Sequence, residues 1–416
     1  MKNSSKPSLS IISVFCLTLI VLALIFESPR AILRGMHEII IAPDILLTDY
    51  IEVGGIGAAF FNAGLMGLIN IWLLSRYGLK VSGLSIAALF TVIGFSFIGK
   101  NIFNFWPIYI GGSLYSKIQK IEFKSILLIL MFSTTLSPVV SEIAFGTHLP
   151  AYLGISFGIL IGILVGFLVT PLSKQMAKFH DGYNLYNIGF TGGILGTLIT
   201  SLLRSFGLTI ETQSVLSNNY SLLLCLFFSM IFLIYIMVGY YLNGKNFRNY
   251  KRIFKYTGRV PTDFKELLGD GITLINMGLM GLICIGFVIV CNGIFNGPVI
   301  AGILTVVGFS AYGKHPKNSI PILLGIILAS AIKIWDTSST VVIIAGLFGT
   351  TLAPIAGQFG WIAGIIAGCL HLSISMNVGI IHGGINLYNN GFAGGMVAGI
   401  IVPILKAFKE NKLADC

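Results

Sequence analysis

The sequence predicts an all-α polytopic membrane protein folded as two inverted-topology repeats, and three observations carry that prediction. The first is composition. Hydrophobic residues make up 55% of the chain and charged residues only 10%, with a mean hydropathy of +0.91; a soluble domain carries about a quarter charged residues. The second is an internal duplication. His180 to Gly196 reads HDGYNLYNIGFTGGILG and returns at His382 to Gly399 as HGGINLYNNGFAGGMVAG. A repeat of this period is an architectural fact that precedes any helix assignment. The third is the placement of Lys and Arg in alternate loops, with opposite sense in the two halves.

The duplication covers most of the chain. Thr48-Asp49-Tyr50-Ile51-Glu52 answers Thr262-Asp263-Phe264-Lys265-Glu266. Asn62 with Gly64-Leu65-Met66-Gly67-Leu68 answers Asn276 with Gly278-Leu279-Met280-Gly281-Leu282. Gly99-Lys100, Asn104 and Pro107 answer Gly313-Lys314, Asn318 and Pro321, without a gap. Thr135-Leu136-Ser137-Pro138 then matches Thr351-Leu352-Ala353-Pro354. The organisation read from this is an amino-terminal helix and interfacial segment (1–47), repeat one (48–208), a linker helix with a basic loop (209–261), repeat two (262–408) and a tail (409–416).

In chain order, Ser8 to Phe26 follows Lys2 and Lys6 and lacks a small-residue cleavage site, so it reads as a first spanning helix rather than a leader. Residues 31–47 are mixed and suit an interface. Repeat one offers apolar segments near 53–75, 80–98, 104–117, 124–141, 150–172 and 185–206. Tyr220 to Leu242 is a separate apolar segment, followed by Lys245, Arg248, Lys251, Arg252, Lys255 and Arg259. Repeat two repeats the pattern near 267–290, 294–312, 319–334, 338–355, 359–379 and 385–405. This makes 12 to 14 apolar segments, most near the roughly 20 residues a span needs. The third of each set is short and a candidate re-entrant element.

Letting every segment cross, the loops at Arg76/Lys80, Lys117/Lys120/Lys124 and Lys174/Lys178, the long linker, Lys314/Lys317 and the tail all fall on one side. The counterparts Cys291-Asn292-Gly293 and Ser375-Met376-Asn377 are uncharged and fall on the other. Both termini are then cytoplasmic in a bacterial inner membrane, and the extra helix 220–242 inverts the second copy. Inverted repeats of this kind build secondary transporters with a midplane site.

The net charge of +11 would suggest nucleic acid in a soluble chain. In this one the basic residues sit in loops, so no nucleic-acid partner is expected. The six cysteines form no Cys-x-x-Cys and read as small packing residues. No phosphate loop, zinc spacing or nucleophile elbow is present. The chain is therefore read as a non-enzyme without cofactor or metal, whose partners are the bilayer and a small-molecule or ion substrate. A homo-oligomer is compatible with that reading.

The candidate site residues are the polar groups repeated in register. Asn62 and Asn276 sit mid-span among glycines, where an amide must face the interior; they suit a solute site or a helix-packing hydrogen bond. Lys100 and Lys314 precede Asn104/Pro107 and Asn318/Pro321. A proline-started third helix would place free amides beside each lysine, which suits an anion; the alternative is an interface lysine. Asn184, Asn187, Asn386 and Asn389 offer further polar groups at a helix start. Asp49/Glu52 and Asp263/Glu266 share a helix face and read either as caps or as a proton- or sodium-coupling site. His180 and His382 are candidate proton relays.

The repeated Gly-Lys-x3-Asn-x2-Pro and Asn-Leu-Tyr-Asn-x-Gly-Phe-x-Gly-Gly resemble a family of uncharacterised bacterial integral membrane proteins of about this length, a domain of unknown function. That resemblance implies no substrate. Phe61-Asn62-x-Gly64-Leu65 and Asn184-Leu185-Tyr186 bear a fainter likeness to urea transporters. Order and spacing depart from that pattern, so no site residue carries over. The expected function is a multi-pass transporter of a small polar or anionic solute, proton- or sodium-coupled. The alternatives are a channel for a small neutral solute or ion and, further off, a membrane-embedded enzyme.

Overall fold

Two helical hairpins organise the fold, and the first helix of each, 13 residues long, is almost wholly buried at its centre. The computed structural model describes residues 6–44, 47–147, 149–207, 214–379, 381, 387 and 389–414. Among the described residues nine helices are long and apolar enough to cross a membrane. A pair bent by 46°, Leu127–Leu136 with Pro138–Gly146, makes a tenth. The protein is thus polytopic and all-α, as composition predicts. The one named strand pairing among the described residues joins Leu47–Thr48 (β1) to Ser214–Val215 (β2) in parallel.

The first half opens with α1 (Lys6–Phe26), α2 (Pro29–Ile41), the short α3 (Tyr50–Gly54) and α4 (Ile56–Arg76). Helix α4 presses Gly64 onto the Cys16 carbonyl and Ile20 of α1. A small residue at such a contact lets two membrane helices approach closely. Helices α5 (Gly83–Phe95) and α6 (Trp106–Ile118) have 13 residues each, about 20 Å, against a hydrocarbon core of about 30 Å. They form a hairpin, and α4 measures its depth. Asn62, near the start of α4, reaches the turn between α5 and α6. Asn70 accepts from the Tyr109 hydroxyl of α6 (2.5 Å). Tyr77, at the end of α4, meets Phe123, just beyond α6, with ring centroids 5.0 Å apart. The hairpin therefore leaves from and returns to the same end of α4. The bent span α7 (Leu127–Ser133) and α8 (Pro138–Ser141) follows, ending in a π turn at Glu142–Gly146. Helices α9 (Ala151–Phe179) and α10 (Asn187–Ser205) complete the half.

The second half repeats this plan in α11 (Ser221–Leu242), α12 (Phe264–Val290), α13 (Gly297–Phe309), α14 (Pro316–Ile332), α15 (Thr340–Gly349), α16 (Ala353–Phe359), α17 (Trp361–Val378) and α18 (Asn389–Ala414). Gly278 of α12 lies on the Phe232 carbonyl and Ile236 of α11, so α11 stands to α12 as α1 stands to α4. The sequence reading treats 220–242 as one extra helix between repeats; the structure makes it the counterpart of α1. Lipid-facing apolar residues are interchangeable, so neither helix carries a residue that would reveal the match. Asn276 reaches the α13–α14 turn. Asn296, capping α13, donates to Thr340 at the start of α15 (3.0 Å). The second hairpin thus also starts and ends on one side.

Two further expectations change. The second segment of each repeat is a helix of 13 residues, shorter than a span needs, and it folds into a hairpin with the third segment. A re-entrant hairpin would remove two crossings and preserve the alternation of the other loops. In repeat two the third helix begins at Pro316, five residues before Pro321, which lies inside it. Pro316 supplies the preset φ of a first helical residue, and Asn318 closes that turn against the His315 amide (2.9 Å).

The halves meet through reciprocal contacts. Gly94 of α5 lies against Ala301 and Leu304 of α13, while Gly308 of α13 lies against Ala87 and Phe90 of α5. Gly193 of α10 faces Phe392 of α18, and Gly395 of α18 faces Phe190 of α10. In both pairs the order of contacts reverses, so the partners run antiparallel.

Candidate solute site at the hairpin turns

The hairpin turns collect the repeated polar residues. Asn62 donates from Nδ2 to the Ser96 and Lys100 carbonyls (2.7 and 2.8 Å). Asn276 donates to the Ser310 and Lys314 carbonyls at the same two distances. Each amide therefore ties the first long helix of its half to the turn of its hairpin. Asn104 Nδ2 reaches the Gly99 carbonyl (3.0 Å) and Asn318 Nδ2 the Gly313 carbonyl (2.9 Å). The amides of Asn101, Phe103 and Asn104 bond to asparagine side chains within the turn. The backbone donors expected to converge on an anion beside Lys100 are thus largely taken.

Lys100 and Lys314 are fully buried. Lys314 Nζ donates to the Tyr186 hydroxyl (2.5 Å) and to Thr350 Oγ1 (2.7 Å) and lies 4.4 Å from the Tyr186 ring centre. Lys100 Nζ has no hydrogen-bond partner among the described residues and lies 5.6 Å from the Phe95 ring centre. Neither amine is ion-paired with a carboxylate among the described residues. Holding either one charged without a counter-ion is costly.

The Asn-Leu-Tyr-Asn stretch of the first half carries its residues to the second half's side of this site. Thr351 Oγ1 donates to Asn184 Oδ1 (2.6 Å), and the Leu185 amide donates to the Thr351 carbonyl (3.1 Å). The reciprocal bond, Leu387 amide to Thr135 carbonyl, is also 3.1 Å. Asn187 Nδ2 donates to Ser173 O (2.9 Å) and Asn389 Nδ2 to Ser375 O (3.2 Å), again as counterparts. His382 and Asn386 lie outside the described residues. His180 Nε2 pairs with Asn187 Oδ1 (3.0 Å), and burial holds its imidazole below the ordinary value. Beside the site a cavity of about 180 Å³ is lined by Phe132, Tyr186, Phe309, Tyr312 and, from the linker, Val260.

The acidic candidates act at helix starts. Asp49 Oδ1 caps α3 at the Ile51 amide (2.9 Å), and Oδ2 accepts from Gly297 N at the start of α13 (3.0 Å) and from Ser217 N (3.1 Å). Asp263 mirrors it, accepting from Glu266 N (3.1 Å) and from Gly83 N at the start of α5 (2.7 Å). Each carboxylate thus caps its own helix and the hairpin of the other half, where an anion also meets a favourable dipole. Glu52 and Glu266 are exposed, and Glu266 pairs with Lys80 (3.3 Å).

Sequence reasoning missed Asp44, Thr350 and Tyr186. Asp44 is fully buried but has no counterpart carboxylate, because its register partner is Gly258. Without an in-register match nothing in the sequence singled it out.

Fold and site together define a polytopic all-α membrane protein with two buried lysines at the turns of two half-length hairpins. The family model described as "Protein of unknown function (DUF1576)" matches residues 28–205 and 242–407, and the chain belongs to that family. No curated protein and no solved structure matches it.

Proposed function

We propose that the chain is a secondary transporter of a small anionic solute, built from two inverted-topology repeats. The observation that carries this reading is the pair of fully buried lysines at the hairpin turns, neither ion-paired with a carboxylate among the described residues. A solute anion supplies the missing counter-charge, and the low dielectric strengthens the attraction. The antiparallel reciprocal contacts of α5 with α13 and of α10 with α18 support the inversion. In this arrangement Lys100 and Lys314 serve opposite vestibules of one pathway, and the Tyr186–Lys314–Thr350 contacts close the linker-side vestibule.

The test is uptake of labelled solute by proteoliposomes against a panel of small inorganic and organic monoanions. Lys100→Gln and Lys314→Gln are each expected to weaken the response about tenfold or more, the value of one charged hydrogen bond. Lys→Arg is expected to be only partly tolerated, since a planar fork differs from a compact ammonium. Normal transport by both Gln variants, or a cationic substrate, would reduce the lysines to structural groups.

A further inference from the structure

We propose that Asp44 and Glu142 hold one shared proton at the tip of the first hairpin, and that this proton favours an anion at Lys100. The second half of the proposal rests on the transporter reading; the proton site stands without it.

Asp44 is 0% and Glu142 4% exposed. The two oxygens of Asp44 have unequal surroundings. Oδ2 accepts from Tyr50 Oη (2.9 Å), Asn104 Nδ2 (3.0 Å) and Asn101 Nδ2 (3.4 Å). Oδ1 is buried with no hydrogen-bond partner among the described residues. The Glu142 carboxyl is close enough to repel it, and Ser141, whose hydroxyl accepts from Asn104 (3.0 Å), lies against the same carboxyl. The other titratable group that faces it is Tyr50 on α3, whose hydroxyl it holds. Asp49 is spent on backbone amides.

Two adjacent buried carboxylates cannot both stay charged cheaply, and one proton between them removes the repulsion. The orphan Oδ1 is where that proton sits, since Oδ2 already receives three donors. Burial, with the Glu142 charge adding to it, pushes Asp44 from the ordinary 3.8 up to about 7. The chemistry is protonation alone: a carboxylate and a solvent proton give a neutral acid. The device is present once, because the register partners of Asp44 and Glu142 are Gly258 and Gln358. Asn101 and Asn104 tie the carboxyl to the turn that carries Lys100. Losing a negative charge there lowers the repulsion an incoming anion meets, so proton and anion bind cooperatively, as in symport.

The experiment is infrared difference spectroscopy of the protein in phosphatidylcholine liposomes, titrated across neutral pH with no solute. Wild type should show a protonated-carboxyl band that titrates near neutrality. Asp44→Asn, nearly isosteric with the neutral acid, should lose it. Glu142→Gln should move it down by about one pH unit or more, as removal of a like charge does. Asp49→Asn should leave it in place. A band that survives Asp44→Asn, a wild type with no such band, or an unmoved titration in Glu142→Gln would overturn the shared proton. The readout needs no anion, so it separates this proposal from the transporter reading; a proton site whose titration ignores added chloride, nitrate and acetate would overturn the coupling alone.

Discussion

At the residue scale, Asn62 and Asn276 show how a side chain inside a membrane fold finds partners. Each satisfies two backbone carbonyls that the turn of a broken helix leaves open, and both asparagines are fully buried. Replacing either by Ala orphans two buried acceptors, at about 1–3 kcal/mol each. The expected outcome for Asn62→Ala and Asn276→Ala is a clear fall in melting temperature in detergent. Asn276→Ala should fall further, because its Oδ1 also accepts from the Tyr250 hydroxyl (3.1 Å). A variant as stable as wild type but inert in uptake would instead place the amide in the solute path. Asp49 and Asp263 teach a related lesson: the sequence offered capping and coupling, and the geometry gives each acid two helix starts to cap.

At the element scale, the hairpins explain why helix length matters more than hydrophobicity. Gly83–Phe95 and Gly297–Phe309 are apolar enough to cross but have 13 residues each, and their counterparts on the return are held by the same long helix. This fixes a topology that labelling can check. In a cysteine-free background, Lys80→Cys before the first hairpin and Lys120→Cys after it should both react from the side of the linker, together with Lys251→Cys. Reaction of Lys80→Cys and Lys120→Cys from opposite sides would convert the hairpin into a broken span and reverse every later loop.

At the scale of the molecule, three distant segments meet at Asp181. It pairs with Arg259 of the linker and with Lys406 of α18 (2.7 Å), and both cations lie over the Tyr183 ring. Lys406, and then Arg259, hold the Asp181 carboxyl below its ordinary value. A depressed carboxylate stabilises the fold above its unfolded pKa, and that contribution fades as pH falls through the folded value. The group is 46% exposed, so screening keeps the effect to about 0.2–1 kcal/mol. Asp181→Asn should therefore lower the melting temperature slightly at neutral pH, and the difference should close as pH drops below about 4. A gap that stays constant across that range would mean the clasp acts by packing rather than charge.

The membrane class, the duplication and the in-register lysines and asparagines were legible because composition and register are properties of the chain itself. So was Thr135 against Thr351, whose carbonyls receive matching amides. The sequence could not decide which half-length segments turn back, because a 13-residue apolar helix reads the same whether it crosses or returns. It could not show that α11 repeats α1, since lipid accepts any apolar side chain. Nor could it find Asp44, whose meaning lies in Tyr50, Asn101, Asn104 and Glu142 converging from different elements. All but the Tyr50 contact join residues far apart in the chain, so only packing in three dimensions, where burial leaves a carboxyl oxygen without a partner among the described residues, gives that residue its chemistry.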